Sequence, residues 1–289
     1  VLFSKPETRL ADLDERSQTR FNAAVTPHKM FDAVTFDLEE LKKMRLKVRD
    51  ATINDVVLAI CSGALRHYLN KHKELPKESL VAVAPVNARS RSGDEANPGN
   101  NLSAMTIKIW SNIPDPVKRL EAIKDTTRET KAAKSGLSAR IMTDLTRHIP
   151  GVTMAGVARL LTDERFAPRM SNLMVSNVPG PQIQLYMNGA KLTHQYGLAP
   201  LAHGMGLFIA TPSYNGTISF SIISDRKMMP DIEFFRECLQ RAFDELKDAK
   251  PSADAGLTKK TAAAPKKPAT PSDGSVMYRR VAKKPRAPG

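Results

Sequence analysis

The sequence has few cysteines and no long uninterrupted apolar run, and each absence excludes a class of protein. Its 289 residues include two cysteines, Cys61 and Cys238, and neither belongs to a CxxC pair. A disulfide framework or a cysteine zinc site is therefore not predicted, and a reducing cytoplasm fits best. The longest apolar stretches, such as 56–61, fall well short of the roughly 20 residues that a membrane-spanning helix needs.

The common catalytic and nucleotide-binding motifs are also missing. The chain contains no GxGxxG, GxxxxGK[ST], HExxH or GxSxG, and no two of its six histidines are adjacent. We expect His67 and His72, near the polar end of a predicted helix, to be solvated rather than catalytic. From the residues alone, the chain offers a fold and a possible cleft but no complete catalytic constellation.

The first residue is Val1, and the opening 20 residues have neither the charged start nor the apolar centre of a signal peptide. This opening indicates a piece of a longer chain or a processed product.

The net charge of +14 is concentrated at the C-terminal end. Residues 255–289 hold nine Lys and Arg against one acid, which gives +8 in this segment. The segment is rich in Ala, Pro and Lys, a composition that predicts disorder. It fits a solubilising tail, or attraction to anionic membrane or lipid-body surfaces. Nucleic acid is a third possibility, but Tyr278 is the one aromatic residue available for stacking on bases.

The body alternates helical and strand patterns, which predicts a layered α/β domain with a mixed sheet, several hairpins and flanking helices. Helices are predicted from Leu38, over 53–69, from Asp115-Pro116, over 141–161 and after Pro230-Asp231. Strands are predicted over 80–86, 105–110, 173–178, 183–187, 191–198, 206–211 and 217–223, with hairpins at Asn188-Gly189 and at 214–216.

Three short motifs have both a structural and a functional interpretation. Thr52 and Asp55 have the spacing of a capping box at the start of the long helix. The stretch 176–181, SNVPGP, ends a strand, and it either terminates that strand or presents Ser and Asn to a cleft. The stretch 203–206, HGMG, allows close backbone approach, but a lone GxG is a weak nucleotide signal.

Taken together, six segments in order resemble the wax ester synthase/diacylglycerol acyltransferase family, over about 20–248. They are ATINDVVLAICSGALRHYL (51–69), VAPVNARS (83–90), GNNLSAMTIKI (99–109), DPVKRLEAI (115–123), SNVPGPQIQLYMNGAKL (176–192) and GLFIATPSYNGTISFSIISDRKMMPD (206–231). SNVPGP followed by LYMNGA is the most specific of them. Asn54-Asp55 matches a recognised family motif.

This resemblance implies a chloramphenicol acetyltransferase-like fold, in which two similar α/β lobes face each other across a tunnel. The family's catalytic motif, HHxxxDG, lies in the N-terminal lobe, and its second histidine is the general base. That motif is absent from this sequence, so no catalytic residue is predicted here and we expect the chain alone to be inactive. The resemblance implies active-site support from Asn54 and Asp55. It also implies that the tunnel is lined by Ser176, Asn177, Pro179, Gly180, His203 and Gly204.

The expected organisation is a linker or crossover segment over 1–29, a C-terminal acyltransferase lobe over 30–250 and a disordered basic tail over 251–289. The expected function is transfer of a fatty acyl group from acyl-CoA to a long-chain alcohol or diacylglycerol. Acyl-CoA is a substrate, and no cofactor and no metal are expected. The expected partners are the N-terminal lobe and an anionic membrane or lipid-body surface, and the expected location is cytoplasmic, peripheral to one of these surfaces. Alternatives are a condensation-type domain acting on carrier-bound acyl groups and a non-enzymatic basic interaction module.

Overall fold

The computed structural model describes residues 18–87, 102–134 and 171–255. The predicted helix over 141–161 and the basic tail beyond residue 255 lie outside these ranges.

A six-stranded mixed sheet forms the centre of the described chain, in the order β1-β8-β7-β4-β2-β3, and β5 and β6 form a separate two-stranded hairpin. The neighbours β2, β4 and β7 are parallel to one another, and the other pairings are antiparallel. The strands are β1 (Lys29–Asp37), β2 (Val81–Asn87), β3 (Leu102–Lys108), β4 (Leu173–Pro179), β5 (Tyr186–Met187), β6 (Ala190–Lys191), β7 (Leu207–Tyr214) and β8 (Thr217–Asp225).

Four helices of the described chain share one apolar core with one face of this sheet. They are α1 (Leu38–Arg45), α2 (Ile53–Lys71), α3 (Pro116–Lys134) and α4 (Ile232–Asp248), and a 3₁₀ turn, Arg20–Asn22, precedes β1. Side chains alternate along a strand, so every second residue faces the helices. Ile209 and Ile222 face them, while their neighbours Phe208 and Ile223 face the opposite side. The sheet therefore has a helix-covered face and a face without helices among the described residues.

A chain segment rather than a helix covers part of the second face. Phe208, Ala210 and Ile223 form a small cluster there with Ala199 and Leu201. Gly197 passes directly over the sheet, and its backbone N–H donates to the Ser221 hydroxyl at 3.1 Å. A Cβ at Gly197 would lie 2.5 Å from the Ala210 Cβ, so only glycine fits at this crossing.

Most predicted elements are confirmed, including the long helix, both hairpin turns and the strands 173–178, 206–211 and 217–223. The predicted strand over 191–198 is wrong, because the strand found here is Ala190–Lys191 and residues 192–198 pair with no other strand of the described ranges. The predicted strand 183–187 shortens to Tyr186–Met187. A strand requires a partner for its backbone, and here the chain instead runs across the face of the sheet.

The expectation that His67 and His72 are solvated is also wrong. His67 Nε2 lies 3.0 Å from Glu245, and His72 Nε2 lies 3.1 Å from Asp231, with both rings mostly buried. Tyr68 donates to the other oxygen of Asp231 at 2.6 Å. Burial opposes ionisation of Asp231, but the hydrogen bonds from Tyr68 and His72 outweigh it and hold the pKa of this carboxyl below its ordinary value. Tyr68 and His72 therefore connect the end of α2 to the start of α4, whereas His67 contacts α4 near its end, at Glu245.

Helices α2, α3 and α4 meet at Gly63, where no side chain keeps them apart. A Cβ at this position would lie 2.9 Å from the Ala242 Cβ and 2.8 Å from the guanidinium of Arg119. Arg119 is 1% exposed and donates to the carbonyl groups of Ile113 and Pro114. Burial lowers the pKa of Arg119 to about 10, so the group still carries its charge at neutral pH.

We expect Gly63→Ala to destabilise the protein although alanine is the better helix former. Alanine in place of glycine contributes about 0.5–1 kcal/mol to a helix, whereas overpacking a filled core costs about 1–3 kcal/mol. The contact with Ala242 is the decisive one, because a methyl group on a packed helix cannot swing away. Urea unfolding followed by circular dichroism measures the difference.

The matched control is Asn70→Ala, since Asn70 lies exposed on the same helix. It should be neutral or raise stability by up to about 0.7 kcal/mol, as helix propensity alone predicts. Equal stabilisation by both substitutions would show that the helices have room at Gly63.

Candidate functional site

The parallel strands define two ends of the sheet, which separate the predicted site residues. We call the end where β2, β4 and β7 terminate the carboxyl edge, and the end where they begin the amino edge. The register of β4 on β7 runs from Met174 opposite Phe208 to Pro179 opposite Ser213. Strand β1 also ends at the carboxyl edge, because Asp37 pairs with Thr217 at the start of β8.

The start of α2, with Asn54 and Asp55, lies at the carboxyl edge. Helix α4 points its C-terminal half toward this edge, since Phe243 stacks on Phe36 of β1 with ring centroids 4.1 Å apart. Helix α2 runs antiparallel to α4: Tyr68 near its end contacts Asp231 at the start of α4. Just before α2, the Lys47 carbonyl accepts from the backbone of Ser252, beyond the end of α4.

Asp55 forms the predicted capping box through one carboxylate oxygen, and its other carboxylate oxygen accepts no hydrogen bond from the described residues. Its Oδ2 accepts from the Thr52 backbone N–H at 2.8 Å and from the Thr52 hydroxyl at 2.7 Å. The Asp55 N–H in turn donates to the Thr52 hydroxyl oxygen at 3.3 Å. The side chain is 2% exposed, and Oδ1 is buried without a hydrogen-bond partner among the described residues. A buried carboxylate oxygen without a donor is costly, so this atom is open to a donor from outside the described residues.

Ser176 and Asn177, in the middle of β4 and one residue further toward its carboxyl end, lie on opposite faces of the strand. Ser176 pairs with Ala210, on the face without helices, and Asn177 pairs with Thr211, on the helix-covered face. Both side chains are half-buried. A single cavity can reach both only at the carboxyl edge itself, where the two faces meet.

Pro179 and Gly180 end β4 in a tightly packed turn. The Gly180 N–H donates to the Ser213 hydroxyl at 3.2 Å, and a Cβ on Gly180 would overlap the Ser213 carbonyl oxygen. This glycine is required by packing alone. A further role in lining a tunnel stays a prediction.

His203 and Gly204 lie at the amino edge, far from the other predicted tunnel residues. The His203 Nδ1 accepts from the Val25 N–H at 3.2 Å, and the Gly204 N–H donates to the Ala23 carbonyl at 3.1 Å. Since a strand rises about 3.3 Å per residue, the length of β7 places these residues roughly 20 Å or more from Gly180. The structure therefore does not gather the six predicted tunnel residues into one cluster.

Sequence reasoning did not single out the open oxygen of Asp55 or the exposed side chains of the β5–β6 hairpin. The exposed hairpin had a signal in the sequence, because Lys191 is the one residue with a formal charge between 171 and 224. Within the described ranges, no three His, Cys, Asp or Glu side chains come together as a metal ion requires. Among the same residues, none of the helices combines the length and the apolar composition needed to cross a bilayer.

Comparison with known proteins points to one enzyme family. The sequence pattern of the WS/DGAT C-terminal domain matches residues 98–247. A Mycobacterium tuberculosis protein whose name gives diacylglycerol O-acyltransferase as a provisional activity is 32% identical over 236 residues, covering 81% of this chain and 47% of that protein. The O-acyltransferase WSD of Acinetobacter baylyi is 32% identical over 212 residues, covering 73% and 45%. The chain thus spans about half the length of the curated relatives it matches.

Solved structures agree with this assignment. The wax ester synthase/diacylglycerol acyltransferase from Marinobacter aquaeolei VT8 superposes with a TM-score of 0.64 at 27% identity, covering 86% of this chain and 54% of that one. The starter condensation domain of rhizomide synthetase superposes with a TM-score of 0.52 at 13% identity, which shows a shared fold and nothing further.

We expect Asp55→Ala and Thr52→Ala to destabilise the protein by similar amounts, about 0.5–2 kcal/mol each. The two side chains share the same hydrogen bonds, so the double substitution should cost less than the sum of the two single ones. Urea unfolding of the four proteins gives the coupling free energy. Strictly additive losses would show that the capping box contributes nothing as a unit.

Proposed function

The chain belongs to the WS/DGAT C-terminal domain family, and from this premise we propose that it is the C-terminal lobe of an acyl-CoA-dependent O-acyltransferase. The acyl acceptor is a long-chain alcohol or diacylglycerol, and the product is a wax ester or triacylglycerol. The family match over 98–247 supports this proposal most directly. The alternative of a condensation-type domain rests on shared fold alone, at 13% identity.

In such a reaction the acceptor hydroxyl oxygen attacks the thioester carbonyl, a general base takes the hydroxyl proton, and CoA leaves as the thiol. No HHxxxDG motif occurs in this sequence, so we assign the general base to the N-terminal lobe. This chain contributes the carboxyl edge. We place Ser176 and Asn177 there as candidate donors to the oxyanion that develops on the thioester oxygen, which is the charge most in need of stabilisation.

Asp55 supports this edge as a positioning residue. Its Oδ2 holds the first turn of α2, and its Oδ1 is a buried acceptor that no described residue satisfies. A donor from the N-terminal lobe or from the substrate would satisfy that oxygen. His203 and Gly204, at the amino edge, anchor the chain at 23–25, and we assign them no contact with the reacting groups.

We expect the isolated chain to show no acyl transfer. General acid–base catalysis contributes about 10²–10⁴-fold, and the missing lobe also removes substrate positioning. Fusing the unmatched N-terminal half of the Acinetobacter relative to this chain should restore turnover. Thiol release from palmitoyl-CoA with hexadecanol as acceptor is the measurement. Full turnover by the isolated chain would refute the assignment of the base to the other lobe.

The same fusion protein separates the two roles of Asp55. Thr52→Ala is the matched control, because it removes the same cap without removing the carboxylate. If Asp55 only caps α2, both variants should keep equal turnover per folded molecule. A positioning role requires a fall in kcat with Asp55→Ala that exceeds the effect of Thr52→Ala at the same folded fraction.

The lipid substrates of this reaction are poorly soluble, and we propose that the basic segment 255–289 brings the enzyme to an anionic membrane or lipid-body surface. Nine Lys and Arg against one acid support this proposal. Each basic residue near such a surface contributes about 1 kcal/mol, and the attraction extends about 8 Å at physiological ionic strength.

We therefore expect deletion of 255–289 to weaken sedimentation with anionic vesicles and to flatten its dependence on salt. Turnover of the fusion protein on detergent-dispersed substrate should stay nearly unchanged, which is the control for folding. Equal sedimentation of the full-length and shortened chains at low salt would assign lipid binding to the body and leave the tail a solubiliser.

A further inference from the structure

The strand β1 forms one edge of the six-stranded sheet, and its outer side pairs with no other strand of the described ranges. It is nine residues long, and an open edge of this length is a template on which another chain can add a strand. We propose that Asp32, held in place by Arg236, keeps this edge from pairing with the same edge of a second copy of the chain. Such pairing depends on the fold of this chain and not on the proposed function.

The register of β1 on β8 determines which backbone groups face outward. The Arg226 N–H donates to the His28 carbonyl at 3.0 Å just before β1, and the Leu38 N–H donates to the Gly216 carbonyl at 2.9 Å just after it. Both contacts continue the β1–β8 register, in which opposite residues alternate between hydrogen-bonded and non-hydrogen-bonded pairs. The even-numbered residues of β1 therefore bond to β8, and the odd-numbered residues from 29 to 37 direct their N–H and carbonyl groups to the open edge.

Asp32 occupies the central outward N–H of this edge. Its Oδ1 accepts from the N–H of Ala33, the middle residue of β1, at 2.7 Å. Its Oδ2 accepts from the Arg236 Nε of α4 at 2.8 Å, which fixes the carboxylate beside the strand. On either side, the Phe31 and Thr35 N–H groups donate to no described residue. The edge is thus open at its flanks and closed at its centre, and an inward-pointing charge on an edge strand hinders pairing.

Without Asp32, the open edge would be complementary to itself. Lys29 begins β1 and Asp37 ends it, so antiparallel pairing centred on Ala33 would bring opposite charges together at both ends. This register is symmetric, as the interface of a two-fold dimer must be. Its central pair requires each Ala33 N–H to donate to the Ala33 carbonyl of the other copy, but that N–H is already bonded to Asp32.

Other antiparallel registers do not avoid the carboxylate. Pairing centred on Asp32 places the two Asp32 side chains directly opposite each other, where like charges are destabilising. Pairing centred on Ala33 or on Val34 places Asp32 opposite Val34 or Phe36 of the other copy. Neither apolar side chain offers the carboxylate a hydrogen bond in exchange for the water it loses. A second copy therefore meets an obstacle in each of these registers.

We expect Asp32→Val to open the edge, because valine favours strands and offers the Ala33 N–H no acceptor. The variant should self-associate with a Kd about tenfold or more below that of the unmodified 289-residue chain. Sedimentation velocity over a range of protein concentrations measures the Kd, and thermal melts check that each variant is folded.

Arg236→Gln is the matched control, because it removes the same ion pair and leaves the carboxylate on β1. It should leave the Kd within about threefold of the unmodified chain. Adding Ala33→Pro to Asp32→Val removes the outward N–H, and an edge strand tolerates proline at such a position. The double variant should therefore return to the self-association of the unmodified chain.

Hydrogen exchange at single-residue resolution identifies the surface involved. In the unmodified chain the Ala33 amide should exchange more slowly than those of Phe31 and Thr35, and in associated Asp32→Val the latter two should become protected. Equal or faster exchange at Ala33 in the unmodified chain would overturn the proposal even if a variant failed to fold. So would unchanged association of folded Asp32→Val, equal association of Arg236→Gln, association that Ala33→Pro does not reverse, or new protection confined to other strands.

Discussion

The close approach of α2 to α4 at Gly63 determines where the other elements lie. Gly63 of α2 has no side chain, so Ala242 of α4 and the guanidinium of Arg119 of α3 pack directly against its backbone. Arg119 is buried, and within the described part of the chain its Nε has no hydrogen-bond partner, so this junction is maintained at an electrostatic cost that the surrounding apolar contacts must exceed. Once α2 is held antiparallel to α4, its first turn can only lie at the carboxyl edge. The positions of Asn54 and Asp55 therefore follow from packing about two and a half turns away along the same helix.

Helices cover one face of the sheet and, among the described residues, none covers the other, and this difference between the faces bears on the proposed function. One face is filled by helices with a continuous apolar core, which accounts for stability. The opposite face has a small cluster around Phe208 and a crossing segment that touches the sheet at Gly197. A protein that functioned alone would place charged side chains over such a face for solubility. Lys191 is the one residue with a formal charge between 171 and 224, a range that includes β4, β7 and nearly all of β8 together with the segment that crosses them.

Local interactions explain which parts of the structure the sequence predicted. The cap at Thr52 and Asp55, the turns at Asn188 and Asn215, and the helix starting after Asp115 each depend on residues within four positions of one another. The predicted sheet type and flanking helices are confirmed as well. The wrong strand over 191–198 failed because strand formation depends on a distant partner that the alternating pattern cannot reveal.

The predicted site residues show the same limit of prediction from sequence even more clearly. Ser176 and Asn177 were both assigned to one tunnel because the resemblance placed the end of their strand there, but the two-residue period of a strand sends them to opposite faces. His203 was grouped with them by resemblance, yet the parallel register of β4 and β7 places it at the other end of the sheet. The position of His203 could not be read from spacing, since it depends on which strands pair and in which direction, whereas the separation of Ser176 from Asn177 follows from the strand predicted over 173–178. The prediction that His72 is solvated was wrong for a related reason: its partner, Asp231, lies 159 residues away in the sequence.

The distribution of charge suggests two different physical modes of recognition in one chain. Lys191 is the one residue with a formal charge between 171 and 224, so a contact made through the exposed part of this stretch would depend on burial of apolar area and would be insensitive to salt. The segment 255–289 carries more than half of the net charge, and attraction through charge is long-ranged, weakly specific and screened by salt.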